Sequence, residues 1–286
     1  MSWQGRFRIS NWRGSSKKFS QWQGLKGDAL IDPAAPIVMY GNLYNWHAVN
    51  KASSTGDSGY EIAPTGWRVA TESDYNNLIS HIDGLSLGVD TDLAMYTCRY
   101  QGSTVSGCNT SQHPRWAEAG GGLDRYPVDT FGLSLLPSGE RVGGHFDFNN
   151  LGARATLWTS SDHSSTNAKA LDGIPYQGIA SLQVSNYSKS RGFPARCVRG
   201  ATAGELSKDD GESCGFVEDV DGHEYPTVKI GNLVWMRKNL GVKSYRNGEP
   251  ITHITGSTDW LADENGARCA YNNDENLAYT NEEWMS

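Results

Sequence analysis

Apolar residues along this chain fall mostly in short strand-type runs cut by Gly, Asn and Ser, the pattern of half-buried strands joined by tight turns. Such runs occupy residues 37–46 (IVMYGNLYNW), with a turn or bulge expected at Gly41-Asn42, and then residues 131–141, 155–160 and 179–199. Nearer the C-terminus, VEDV and HEYPTVKI flank Asp221-Gly222, a two-residue hairpin signature, and TVKIGNLVWM supplies a second strand pair. One segment follows a helical period instead. In residues 72–83, Tyr75, Leu78, Ile79 and Ile82 share a face, Thr71 stands at the N-cap with Asp74 three residues on, and Gly84 is the expected stop.

The intervals between these runs divide the chain. Residues 1–36 form an arm that ends at Asp32-Pro33-Ala34-Ala35-Pro36, where paired prolines favour a boundary. Residues 37–200 make the main body, 201–215 have linker composition, and 216–286 begin a fresh unit with its own hairpin. Residues 84–129 carry no sustained period. They read as one long structured loop, with Cys98 and Cys108 spaced to close it by a disulfide.

Composition adds to this picture. A length of 286 residues suffices to bury a sizeable core, and 33 Gly with 10 Trp and 13 Tyr suits many turns and aromatic anchors. The net charge of −7 argues against sequence-independent binding of nucleic acid, which needs a cationic field. The arm is the exception: Arg6, Arg8, Arg13, Lys17, Lys18 and Lys26 alternate with Trp3, Phe7, Trp12, Phe19 and Trp22, with no acidic residue among them. That mixture could grip RNA or lipid, and docking on a protein partner is the favoured expectation. No apolar run reaches the length of a membrane helix, and no signal-peptide core is visible, so neither membrane insertion nor export by a signal peptide is expected. The five cysteines show no CxxC and no His/Cys cluster at zinc spacing, so no metal centre is expected.

Several motifs then converge on one family. DVDGHEYPTVKIGNLVWMRKNL at 219–240, a YxxGxPI-like run from Tyr245 to Ile251, and GARCAYNND at 266–274 resemble the opening of the Fibrobacter succinogenes major paralogous domain. YGNLYNWHAVN at 40–50, APTGWRVATESDYNNL at 63–78, TFGLSLLPSGER at 130–141, LWTSSD at 157–162 and GFPARCVR at 192–199 resemble its continuation. The resemblance implies an α+β, C-type-lectin-like fold of short irregular antiparallel strands, one clear helix and long loops. The order of the segments departs from the family, because its first third lies here at the C-terminus. Either the chain is circularly permuted and closes on itself, or residues 216–280 complete the domain of a neighbouring subunit; a tandem array cut at arbitrary points is a third arrangement.

The same resemblance implies that Cys197 and Cys269 form a disulfide or a contact, with two buried reduced thiols as the alternative. Asp219, Asp221 and Glu224 imitate the start of a calcium loop but lack its later ligands, so a hairpin turn is expected there; the oxygen-rich Asn272-Asn273-Asp274-Glu275 is the other calcium candidate. No cofactor is expected. The fold implied is shared with formylglycine-generating enzymes, yet no reactive cysteine pair surrounds Cys197. Ser134, Ser138 and Ser160 lack a GxSxG elbow, and His145 reads as a surface residue. The chain is therefore expected not to be an enzyme.

Recognition is expected between LWTSSD and GFPARC, a stretch that in this fold is exposed and, in some phage relatives, diversified. His163, Lys169, Tyr176, Gln177, Gln183, Asn186 and Tyr187 are the candidate ligand-binding residues, offering aromatic and amide contacts. Trp46, Trp67, Trp158 and Trp235 are expected in the core. The resemblance points to a phage virion component, such as a fibre, tail-tip or capsid-decorating protein, that binds a host surface glycan or protein. Residues 1–36 would then mediate self-association or contact with other virion proteins. A purely structural virion subunit and a cell-surface or secreted bacterial adhesin are the alternatives.

Overall fold

The computed structural model describes residues 40–85, 129–143, 147–151, 154–176 and 179–275. Residues 1–36, Cys98, Cys108, His145 and Gln177 lie outside these. In chain order the elements are strand β1 (Leu43–Tyr44), helices α1 (Trp46–Val49) and α2 (Lys51–Thr55), strand β2 (Arg68–Val69) and helix α3 (Glu72–Gly84). Strands β3 (Ser138–Arg141), β4 (Phe148–Leu151), β5 (Ala155–Asp162), β6 (Asn167–Tyr176), β7 (Ile179–Ser188) and β8 (Cys197–Gly200) follow. The C-terminal part supplies β9 (Ser213–Glu218), β10 (Glu224–Ile230), β11 (Leu233–Met236), β12 (Thr252–His253), helix α4 (Ser257–Ala262) and β13 (Ala267–Cys269). The architecture is mixed α+β, mostly strands.

Local chemistry explains where these elements begin and end. Helix α3 starts with a full capping box: Thr71 accepts from the Asp74 N–H, and the Asp74 carboxylate accepts from the Thr71 N–H. Gly84 is its last helical residue rather than a stop, and the chain turns at Leu85, whose N–H reaches the Ile82 carbonyl. Of the run 37–46, expected as strand, the described residues from Tyr40 on hold only β1. Asn45 ends it, because its side chain accepts from the Ala48 N–H and so caps α1. Residues 131–137 likewise do not extend, since Gly132 and Ser134 take positive φ (65° and 57°) that a strand cannot absorb. The Asp221-Gly222 turn forms as expected between β9 and β10, with Gly222 at φ 83°.

Four sheets result. The largest runs β2-β8-β11-β10-β9, all antiparallel, and pairs the main body directly with the C-terminal segment: Val198 lies opposite Trp235 and Arg199 opposite Val234. A second, β1-β13-β12, repeats this union, with Leu43 opposite Cys269 and Tyr44 opposite Arg268. Strands β5-β6-β7 form a meander, and β3-β4 a small hairpin. Residues 201–215 are more than a spacer. Glu205 pairs with Arg199 at 2.6 Å, Asp210 with Lys229 at 2.8 Å, and β9 begins at Ser213.

One core cluster mixes Trp46, Trp67, Trp158 and Phe193 with Tyr225, Met236 and Tyr245; a second places Tyr75, Leu78 and Ile82 of α3 against Leu157, Leu171, Val198 and Trp235. The four tryptophans expected inside are at most 9% exposed. Buried polar bonds tie the segments together. Arg196, fully buried, donates to the Leu133 and Ser134 carbonyls and, at 2.7 Å, to Asn239 Oδ1. Asn239 Nδ2 in turn donates to the Tyr40 carbonyl and to Ser138 Oγ, both at 2.8 Å. Asn42 donates to the Gly241 carbonyl at 2.8 Å.

The Cys197–Cys269 disulfide implied by resemblance is not formed. Both thiols are free and buried, Cys197 in the large cluster on β8 and Cys269 beside Leu43 and Trp260 in a third, separate one. Their strands belong to different sheets, β8 to the one it shares with β11 and β13 to the one it shares with β1.

Asn239→Ala should leave the Arg196 guanidinium and the Tyr40 carbonyl short of partners, costing about 2–4 kcal/mol. The melting temperature followed by circular dichroism should then fall by roughly 5–15 °C. An unchanged melting curve would mean that this junction does not hold the two segments together.

Candidate recognition surface

The β5-β6-β7 meander carries most of the residues expected to bind. Its register sets Lys169 opposite Asn186, Asp172 opposite Gln183 and Ala168 opposite Tyr187. Because side chains alternate between faces, Lys169 and Asn186 lie on one side of the sheet and Gln183 and Tyr187 on the other. The expected patch is thus split. On the first side Lys169 reaches Glu72 of α3 at 3.2 Å. On the second, the Tyr187 hydroxyl donates to Asp172 Oδ2 at 2.6 Å, and Arg154 grips both Asp172 oxygens at 2.7 Å. The Tyr187 ring also meets Phe193 edge-on at 5.1 Å. Burial first, and then Asp172, push the Tyr187 hydroxyl above its usual range, which keeps it a neutral donor.

Tyr187 and Lys169 are therefore part of the scaffold, and Gln183 and Asn186 are exposed. His163 sits in the exposed β5–β6 turn, where its N–H donates to Asp162 Oδ1 at 2.7 Å. Tyr176 is paired through its backbone with Ile179, its side chain and Gln177 being outside the described residues. Among the described residues β7 pairs on one side only, so its other edge is free.

The calcium candidates have other work. Asp219 Oδ1 accepts from the Asp221 and His223 N–H groups, both at 3.0 Å, while Oδ2 takes the Tyr225 hydroxyl at 2.5 Å and faces His223 Nδ1 at 2.9 Å. Asp221 Oδ2 caps the Lys243 and Ser244 N–H groups. Donors occupy these oxygens even though Asp219, Asp221 and His223 crowd within 4.8 Å. Glu275 faces His253, Arg268 and Lys243 at 3.2–3.4 Å.

A groove of about 370 Å³ was not visible in the sequence. One wall is α3, through Asp74, Asn77, Leu78 and His81; the other is the β10–β11 turn, through Ile230, Gly231, Asn232 and Leu233, with Trp235 behind. At its rim His81 Nε2 lies 2.6 Å from Asp210, whose other oxygen receives Lys229 at 2.8 Å and the Gly231 N–H at 2.9 Å. Asp74 is gripped by both Arg68 nitrogens and by the Thr71 N–H and hydroxyl. Burial raises the Asp74 carboxyl, but these donors outweigh it and hold the group below the usual carboxylate range. His81, at the end of a helix, was the one available signal; its partner Asp210 lay in a stretch of linker composition.

The model of the Fibrobacter succinogenes major domain matches residues 28–199. The chain belongs to this family. In this member, the matched stretch includes α3, the β5-β6-β7 meander and β8 as far as Arg199, whereas β9 to β13 lie beyond the match and still complete its two shared sheets. No curated protein and no solved structure matches the chain.

In this Fibrobacter succinogenes major domain, Tyr187→Phe should cost about 1–2 kcal/mol in denaturant unfolding, because Asp172 loses a donor, whereas Gln183→Ala and Asn186→Ala should stay within about 0.5 kcal/mol. Asp74→Asn has a pH signature. A depressed carboxyl stabilises fully above its ordinary value near 4 and loses that contribution as pH falls through the lower folded value. The variant should be less stable by about 1–2 kcal/mol at pH 7, with the gap closing as pH falls below the ordinary carboxylate range; a gap that persists in acid would assign the loss to packing.

Proposed function

We propose that this protein is a non-catalytic recognition module of C-type-lectin-like fold, carried on a phage virion as a fibre, tail-tip or capsid-decorating component. The observation that carries this reading is β7, a ten-residue edge strand. It offers Gln183 to solvent on one face and Asn186 on the other, while Tyr187, Asp172 and Arg154 brace the face that carries Gln183. A rigid strand with exposed amides suits binding, since little order has to be created when a partner docks.

Three further features support it. Cys197 and Cys269 are deeply buried, and burial pushes both thiols up, Cys269 to about 12, which suits inert core thiols better than nucleophiles. The strand pairings between residues 43–69, 197–200 and 213–269 support a permuted domain closed within one chain. The basic, aromatic residues 1–36 fit an anchor to other virion proteins or to a second copy. The ligand on this reading is a host surface glycan or protein.

The double variant Gln183→Ala/Asn186→Ala should bind host cells at least tenfold more weakly than the parent protein, with an unchanged melting temperature. Cell-binding titration of both proteins, alongside a glycan array, checks this. Equal binding by the two would reject β7 as the contact surface, and binding by neither would favour a purely structural virion subunit.

A further inference from the structure

The groove between α3 and the β10–β11 turn takes no part in the β7 surface. We infer that it is a second binding site, for a neutral hydroxyl-bearing ligand of the kind a saccharide unit presents. Its volume of about 370 Å³ lies in the range of small-ligand pockets. Two lines of chemistry narrow the occupant.

The first is charge. Asp74, the one carboxylate among the described lining residues, is neutralised by the two-pronged Arg68 contact, and Asp210 at the rim by Lys229, with His81 Nε2 on its other oxygen. Among the described residues each carboxylate at the groove is matched by a basic side chain, so a neutral guest fits best. The second is hydrogen-bonding capacity. Asn77 and Asn232 are exposed, and their side-chain amides make no hydrogen bond among the described residues. Each presents a donor and an acceptor side by side, which matches a hydroxyl, itself both donor and acceptor. The Trp235 indole N–H behind them is buried without a partner, although the cost of an unmet buried donor is normally avoided.

The apolar share of the wall, Leu78, Ile230 and Leu233, suits the C–H face of a pyranose ring. A flat heteroaromatic guest fits less well. Trp235 is only 1% exposed and is tilted against Tyr75 at 5.3 Å, so it presents no ring face for stacking. Both walls come from different parts of the chain: α3 from the main body and the turn from the C-terminal segment. The groove therefore exists only where those parts are packed together.

The test uses the full chain with glucose, galactose, mannose, N-acetylglucosamine, lactose and maltose as probes, read by saturation-transfer NMR and by calorimetric titration. At least one sugar should bind. Asn77→Ala/Asn232→Ala should weaken that binding tenfold or more, and Asn77→Trp, which plugs the mouth from an exposed helical position, should abolish it. Both variants should melt with the parent, and Gln183→Ala/Asn186→Ala should bind the sugar as the parent does. The inference is overturned if no sugar of the set binds, if binding survives both groove variants, if it is lost instead with the β7 variant, or if glucuronate competes more tightly than glucose. Failure of the β7 surface in cell binding leaves these readouts unaffected, so the two sites stand or fall separately.

Discussion

A guanidinium with no exposure to water sits at the centre of this molecule. Arg196 precedes β8, and burial pushes its pKa down to about 10, still far above neutrality, so the charge persists inside the core. A buried charge is tolerated only when its donors are met. Here Leu133 and Ser134 supply two carbonyls from the irregular stretch before β3, and Asn239 supplies a third acceptor from the C-terminal segment. Asp129, itself buried and pushed up to about 6, lies near enough to act on Arg196 and spends its oxygens on Ser134. The positive φ of Ser134 follows from this: the chain bends there to turn its carbonyl toward Arg196 rather than into a sheet.

Because the cation needs acceptors from both parts of the chain, neither part can form a satisfied core alone. The sheets repeat the constraint in backbone bonds. Removing β11 would strip β8 of a partner, and removing β13 would leave β1, a strand of two residues, with only the bridge from Tyr44 to Phe193. Short strands of this kind are stable when several neighbours and buried side chains hold them, and here Asn42, Asn45 and Asn239 provide those ties through side-chain amides. Asparagine is used because one amide can bridge two backbone groups that no ladder reaches.

This mode of construction explains what was legible in the sequence. Helix α3 was, since Thr71, Asp74 and the Tyr75–Ile82 face are local signals, and so was the Asp221-Gly222 hairpin, whose turn chemistry is contained in two residues. The tryptophans declared the core by their size alone. The ends of the strands were not legible, because Asn45 and Ser134 stop them through bonds to distant or side-chain partners rather than through any pattern of hydrophobicity. Lys169 and Tyr187 looked like adaptable surface groups for the same reason. Their partners, Glu72 and Arg154 with Asp172, sit on other elements, and only the register of β6 with β7 brings them within reach.

The division between scaffold and free surface follows the same logic. On the β5-β6-β7 meander every charged residue near the core has found an opposite charge or a tyrosine hydroxyl, which leaves amides as the polar groups with spare capacity. In the groove the outcome is alike: Arg68, Lys229 and His81 are spent on Asp74 and Asp210, while Asn77 and Asn232 remain unspent. A fold that settles its charges internally and leaves amides at its openings is poorly suited to ionic partners or proton transfer. It is well suited to guests that both give and accept hydrogen bonds, and since the groove's two walls lie about 150 residues apart in sequence, such a guest would bind the packed domain and not either segment alone.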